Sequence, residues 1–130
     1  MNNDDKTDLK LKPPSFPFYV NNWLASATVE EMTLEEQGAY VRLLARAWQN
    51  IDEHGPWLPD DDIKLASLSR LGTKWEGVTA ERMRSCWQSC NGRLVNGRLM
   101  DCWRNAMIFR ERQSKAGKKG MSARYGKTYH

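Results

Sequence analysis

Residues 91–100, Asn-Gly-Arg-Leu-Val-Asn-Gly-Arg-Leu-Met, decide how the rest of the chain is read. A two-residue hairpin turn of type I′ needs positive φ at both central positions, which Asn-Gly tolerates better than other pairs. The Asn96-Gly97 pair therefore predicts a two-stranded hairpin with its turn at 96–97, with Arg93 and Arg98 flanking its root. Working upstream, Thr79 can cap a helix running to about Cys90, with Met83, Cys86, Trp87 and Cys90 on its inner face. Leu71 to Gly77 is a long turn before it. Pro59 and Asp60-Asp61-Asp62 open a shorter helix to about Ser69, with a carboxylate as cap and Ile63, Leu65, Ala66 and Leu68 as its apolar residues. Trp57-Leu58 is short and extended.

Further upstream, Thr33-Leu34-Glu35-Glu36 forms a capping box, in which hydroxyl and carboxylate each cover an orphan backbone N–H. Ala39, Tyr40, Leu43, Leu44, Ala47 and Trp48 then repeat at helical spacing, giving a helix over about Leu34 to Gln49. Phe16-Pro17-Phe18-Tyr19-Val20 and Trp23-Leu24 form an aromatic segment, expected to lie extended across the core as a lid rather than as a stacking platform for bases. Downstream of the hairpin, a last helix from about Asp101 carries Trp103, Ala106, Met107 and Phe109, and fades into a loose glycine- and lysine-rich stretch from Ser114. The expected fold is mainly α with a small β-hairpin (α+β). Helix, short strand, two helices, hairpin and helix follow one another as in a winged helix-turn-helix, here with an extra C-terminal helix. The expected organisation is a mobile arm over 1–15, a winged-helix domain over 16–113 and a basic flexible tail over 114–130.

The 130 residues carry 20 Lys+Arg against 16 Asp+Glu, but the charge is unevenly distributed. Met1 to Glu81 holds 8 basic and 14 acidic residues, a net of −6, whereas Arg82 to His130 holds 12 and 2, a net of +10. A chain polarised in this way presents one face to a polyanion, because neutralised phosphates release counterions. An anionic membrane surface or an acidic protein are the other users of such charge. No apolar run approaches the roughly 18–20 residues of a membrane span, and the first residues begin no signal peptide, so the expected site of action is the cytoplasm. Three cysteines are too few for a secreted framework.

Four ordered blocks resemble the YdaU-like proteins of phages and prophages. They are Phe16 to Ser26 with Met32 to Leu44, then Leu58-Pro-Asp-Asp, then Gly92-Arg-Leu-Val-Asn-Gly-Arg-Leu, then the basic run Ser114 to Tyr125. Members of that family usually sit among phage replication genes. The resemblance thus implies DNA binding or helicase loading in replication initiation. The chain departs from the family at Gly72 to Gly77, where the turn looks longer, and at Met121, where a second glycine is usual.

The candidate DNA contacts follow from these placements. Thr79, Arg82, Ser85, Gln88 and Ser89 lie away from the apolar stripe of the expected reading helix, where Arg82 would pair with guanine and Gln88 with adenine. Arg84 is a phosphate candidate, Arg93 and Arg98 at the wing are phosphate or minor-groove candidates, and Arg110, Arg112, Lys115, Lys118, Lys119, Arg124 and Lys127 in the last helix and tail are phosphate candidates. Each has an ordinary alternative as part of a solvated face. Tyr125 and Tyr129 are candidate stacking residues for a single strand. Three thiols with His54 or His130 make a zinc set on paper, but without a Cys-x-x-Cys pair core packing explains them better. The acidic Glu30, Glu31, Glu35 and Glu36 offer a docking surface for a basic partner. No nucleophile–His–acid set and no phosphate-cradling glycine loop is present, so the expected protein is not an enzyme and needs no cofactor or metal. The expected partner is DNA, duplex rather than single strand, with a replicative helicase or loader as a further partner and a homodimer through the last helix. Two other readings use the same residues, an adaptor for a helicase, loader or host factor, and a transcription regulator.

Overall fold

A computed structural model describes residues 12–126, with side chains through Lys115. Among the described residues, six α-helices and three short strands make an α+β fold. Two short helices, α1 (Val20–Ala25) and α2 (Ala27–Glu31), lead into α3 (Leu34–Gln49). Strand β1 (Leu58–Pro59) precedes α4 (Asp62–Ser69), a 3-10 turn (Gly72–Lys74) and α5 (Gly77–Arg84). Strands β2 (Gln88–Cys90) and β3 (Arg93–Val95) then lead into α6 (Gly97–Gly126). The sheet is antiparallel in the order β1-β3-β2, pairing Leu58 with Leu94 and Ser89 with Leu94.

Helix α3 has the boundaries that its capping box and apolar period predict. The Thr33 hydroxyl accepts from the Glu36 N–H, and the Glu36 carboxylate accepts from the Thr33 N–H. Its buried face of Ala39, Tyr40, Leu43, Ala47 and Trp48 meets Leu58, Leu65, Met83, Leu94 and Leu99 in one core. Asp61 caps α4 by accepting from the Ile63 and Lys64 N–H groups, while Ile63, expected in the core, is exposed.

The hairpin lies five residues earlier than expected. Asn91 (φ 53°) and Gly92 (φ 79°) form the turn, so Gln88 to Cys90 are strand rather than helix, and α5 ends at Arg84. The second Asn-Gly pair has a different task. Buried Asn96 accepts from the Leu99 N–H as the cap of α6, and its amide donates to the Tyr40 hydroxyl and the Cys86 carbonyl. Thr79 lies inside α5, two residues past its first position, and does not cap it. Helix α6 starts at Gly97 rather than near Asp101, and its backbone stays helical through Gly126, across the stretch expected to be loose.

The aromatic segment is a lid in part only. Phe16 packs on Trp48 at 5.0 Å between ring centroids and Trp23 stacks on Tyr40 at 5.8 Å, but Phe18 and Tyr19 are 57% and 51% exposed. From Val20 onward, through Trp23 and Leu24, it is helical rather than extended. The Trp48 indole N–H donates to the Pro13 carbonyl at 2.7 Å, so Pro13, assigned to the arm by a boundary at residue 16, is buried on the domain.

Candidate nucleic-acid interface

Helix α5 is the expected reading helix, and its arginines are held by the protein's own carboxylates. The Arg82 guanidinium donates to Glu36 Oε1 at 2.7 Å, and Glu36 is buried. Burial alone would raise the Glu36 pKa. The Thr33 N–H, the Thr79 hydroxyl and Arg82 outweigh it, and the carboxyl titrates below its ordinary value. Thr79 and Arg82 are thus brought together, around Glu36. Arg84 spans two carboxylates, Asp62 and Asp60, each at 2.8 Å. The Trp75 indole N–H also donates to Asp62, and the Ser89 hydroxyl to Asp60. Asp60 and Asp62, which the sequence reading treats as helix-capping residues, therefore fasten α4 to α5 and β2, and only Asp61 caps. These contacts lower both aspartate pKa values, through Ser89 first and Arg84 next at Asp60, and through Trp75 and Arg84 at Asp62.

Ser85 ends α5, where its hydroxyl donates to the Arg82 carbonyl. Gln88 is exposed on edge strand β2, well past the helix on which a base-reading role was expected. Arg93 lies on the central strand, not at a wing root. It pairs with Asp52 at 2.7 Å and lies 4.0 Å over the Trp57 ring. Burial opposes the charge on Asp52, but the His54 N–H and Arg93 keep its pKa low.

The remaining cations gather on α6. Arg98 is exposed on its first turn, Arg112 is exposed, Arg110 is half-buried, and Lys115 pairs with Glu111 one turn back. Lys118, Lys119 and Arg124 follow on the same helical backbone, and Lys127 lies outside the described residues. From Gly97 to Gly126 the helix carries eight Lys+Arg against two acids, Asp101 and Glu111. Its first turns pack on the body through Leu99, Cys102 and Trp103, and nearly every residue from Ile108 to Lys115 is exposed.

The sequence reading passed over a second basic surface. Arg42 and Arg46, one turn apart on α3, line an open groove with Lys12, Phe16 and Gln49. Their i, i+4 spacing on the side of α3 opposite its apolar stripe was the available signal. Among the described residues, no group of three His, Cys, Asp or Glu side chains is placed to hold a metal ion. Among them, too, no helix is long and apolar enough to cross a membrane.

The fold and the surface define a small helical domain, organised on a three-stranded antiparallel sheet, with eight of its Lys and Arg residues on one long terminal helix. The chain belongs to the family described as protein of unknown function (DUF1376), which matches residues 14–102. Neither the curated proteins nor the solved structures contain a match to it. The family match ends inside α6, so the basic residues from Arg104 onward lie beyond it.

Proposed function

We propose that this chain is a winged-helix DNA-binding protein without catalytic activity, acting in replication initiation in a phage or prophage. The observation that carries the reading is α6, with its eight cations and two acids on a helix that is exposed at nearly every residue from Ile108 to Lys115. The order α3, β1, α4, α5, β2, β3, with β3 central in the sheet, supports the winged-helix assignment. The resemblance to YdaU-like proteins supports the role in replication. Because Arg82, Arg84 and Arg93 are satisfied internally, the grip on duplex belongs chiefly to Arg98 and the later residues of α6, with little direct reading of bases.

Fluorescence anisotropy on a labelled random duplex tests this. With about six phosphate contacts, affinity falls by roughly a thousandfold between ~50 and ~200 mM salt. Absence of duplex binding at low salt overturns the proposal.

A second reading, an adaptor for a helicase, loader or host factor, is favoured by those same internal ion pairs together with the exposed Glu30 and Glu31. It requires a partner complex that persists when the chain is ended at Gln113. A transcription regulator would use the same fold and differ in its preference for one operator.

A further inference from the structure

We propose that the segment from Lys12 to Leu24, with the flanking faces of α3 and α6, forms a track for single-stranded nucleic acid that shares only Arg98 with the surface that grips duplex. The inference rests on the reading of the chain as a nucleic-acid-binding protein and names a second substrate for it.

Three observations carry it. The groove beside α3 is lined by Lys12, Arg42 and Arg46, and an adjoining cavity of about 90 Å³ is lined in part by Arg98; among the described residues no carboxylate lines either one. Phe16 forms a wall of both, so the basic groove and the aromatic cavity adjoin at its ring. Between the two cationic ends, Phe18 and Tyr19 expose more than half their surface although the core lies within reach, and Phe18 is braced by Trp23 at 5.4 Å. Cations at both ends with exposed rings between them suit an unpaired strand, whose phosphates need charge and whose bases offer open π-faces. A duplex has no exposed base faces for Phe18 and Tyr19. The hydrogen bond from Trp48 to the Pro13 carbonyl anchors the segment, so the rings are held ready for the strand. From Lys12 to Tyr19 the segment spans at most about 23 Å at ~3.3 Å per residue. That length holds a few nucleotides, at the lower end of the ~4–16 used by small single-strand-binding folds.

The test compares labelled oligothymidylate with a labelled duplex of equal length, on the full chain. The Phe18→Ala/Tyr19→Ala variant should bind oligothymidylate at least about fivefold more weakly per lost stack, with duplex affinity unchanged. Phe18→Tyr/Tyr19→Phe should retain single-strand affinity, and Phe18→Leu/Tyr19→Leu should not, which separates stacking from simple apolar contact. Arg42→Gln/Arg46→Gln should make the log–log salt dependence shallower by about 1.4, at ~0.7 per phosphate contact on a single strand. Phe18, Tyr19 and Arg42 are exposed and Arg46 is half-buried, so an unchanged thermal midpoint shows that the variants fold. Wild-type single-strand affinity in the alanine or leucine pair, with duplex binding intact, overturns the track and leaves the wider reading standing. Failure of the unaltered chain to bind either oligonucleotide overturns both.

Discussion

Glu36 shows how one side chain serves two levels of structure. It closes the capping box of α3 and, from the same buried position, holds Arg82 of α5. Glu36→Ala leaves the Thr33 N–H without its acceptor and Arg82 without its counter-charge. The expected cost is about 2–4 kcal/mol in urea unfolding. The pH dependence has a definite sign. The folded pKa is lowered, so the stabilisation is complete above the unfolded value near 4.5 and is lost as pH falls through the lower folded value. Asp52, Asp60 and Asp62 act in the same direction. The thermal midpoint should therefore fall steeply below about pH 4.5, and less steeply in the Glu36→Ala variant. Arg84→Ala separates two roles for its residue. The structure predicts a stability loss of about 1 kcal/mol with duplex affinity within twofold of wild type, whereas a base- or phosphate-contacting Arg84 would lose affinity instead. Local hydrogen-bonding rules made the capping box legible in the sequence. The partners of Arg82 and Arg84 were not legible, because Glu36 lies 46 residues from Arg82 and only the packed helices bring the two together.

At the scale of elements, the two Asn-Gly pairs are the instructive case. Each has the turn chemistry, and the sequence alone favours 96–97. The structure uses 91–92 because Asn96 is needed, buried, to cap α6 and to join α3 to the end of α5 through Tyr40 and the Cys86 carbonyl. Tertiary context therefore outranks local propensity here. The difference can be tested with two alanines. Gly92 has φ of +79°, so Gly92→Ala should lower stability by about 1 kcal/mol. Gly97 has no atom within 4 Å of the added Cβ and lies at the start of a helix, so Gly97→Ala should raise stability by a few tenths to about 1 kcal/mol. If turn and cap were exchanged, the signs would reverse in chemical denaturation. Helix α3 was legible to the residue because cap, period and length agree. The end of α5 was not, since Cys86 and Trp87 continue its apolar spacing into what is turn and strand.

Over the whole molecule, charge polarity was legible in the sequence, and its mounting on one continuous helix was not, since Gly117 and Gly120 argue locally for a break. The two readings of function divide on that helix. Ending the chain at Gln113 removes Lys115, Lys118, Lys119, Arg124 and Lys127. If each contacts a phosphate, the log–log salt slope for duplex should become shallower by up to about 4.5, at ~0.9 per contact. A slope unchanged by truncation would place duplex binding elsewhere on the domain.

Among the α6 residues whose side chains are described, Arg110 is the last half-buried one, and at ~1.5 Å per residue the backbone of Arg124 lies about 21 Å further along the axis. That exceeds two Debye lengths at physiological ionic strength, where one is ~8 Å. Charges as close to the body as Arg110 are therefore screened from the far end of the helix. Under the proposed function the helix is an insulated antenna, its charge presented to a polyanion at a distance from the acidic residues of the body.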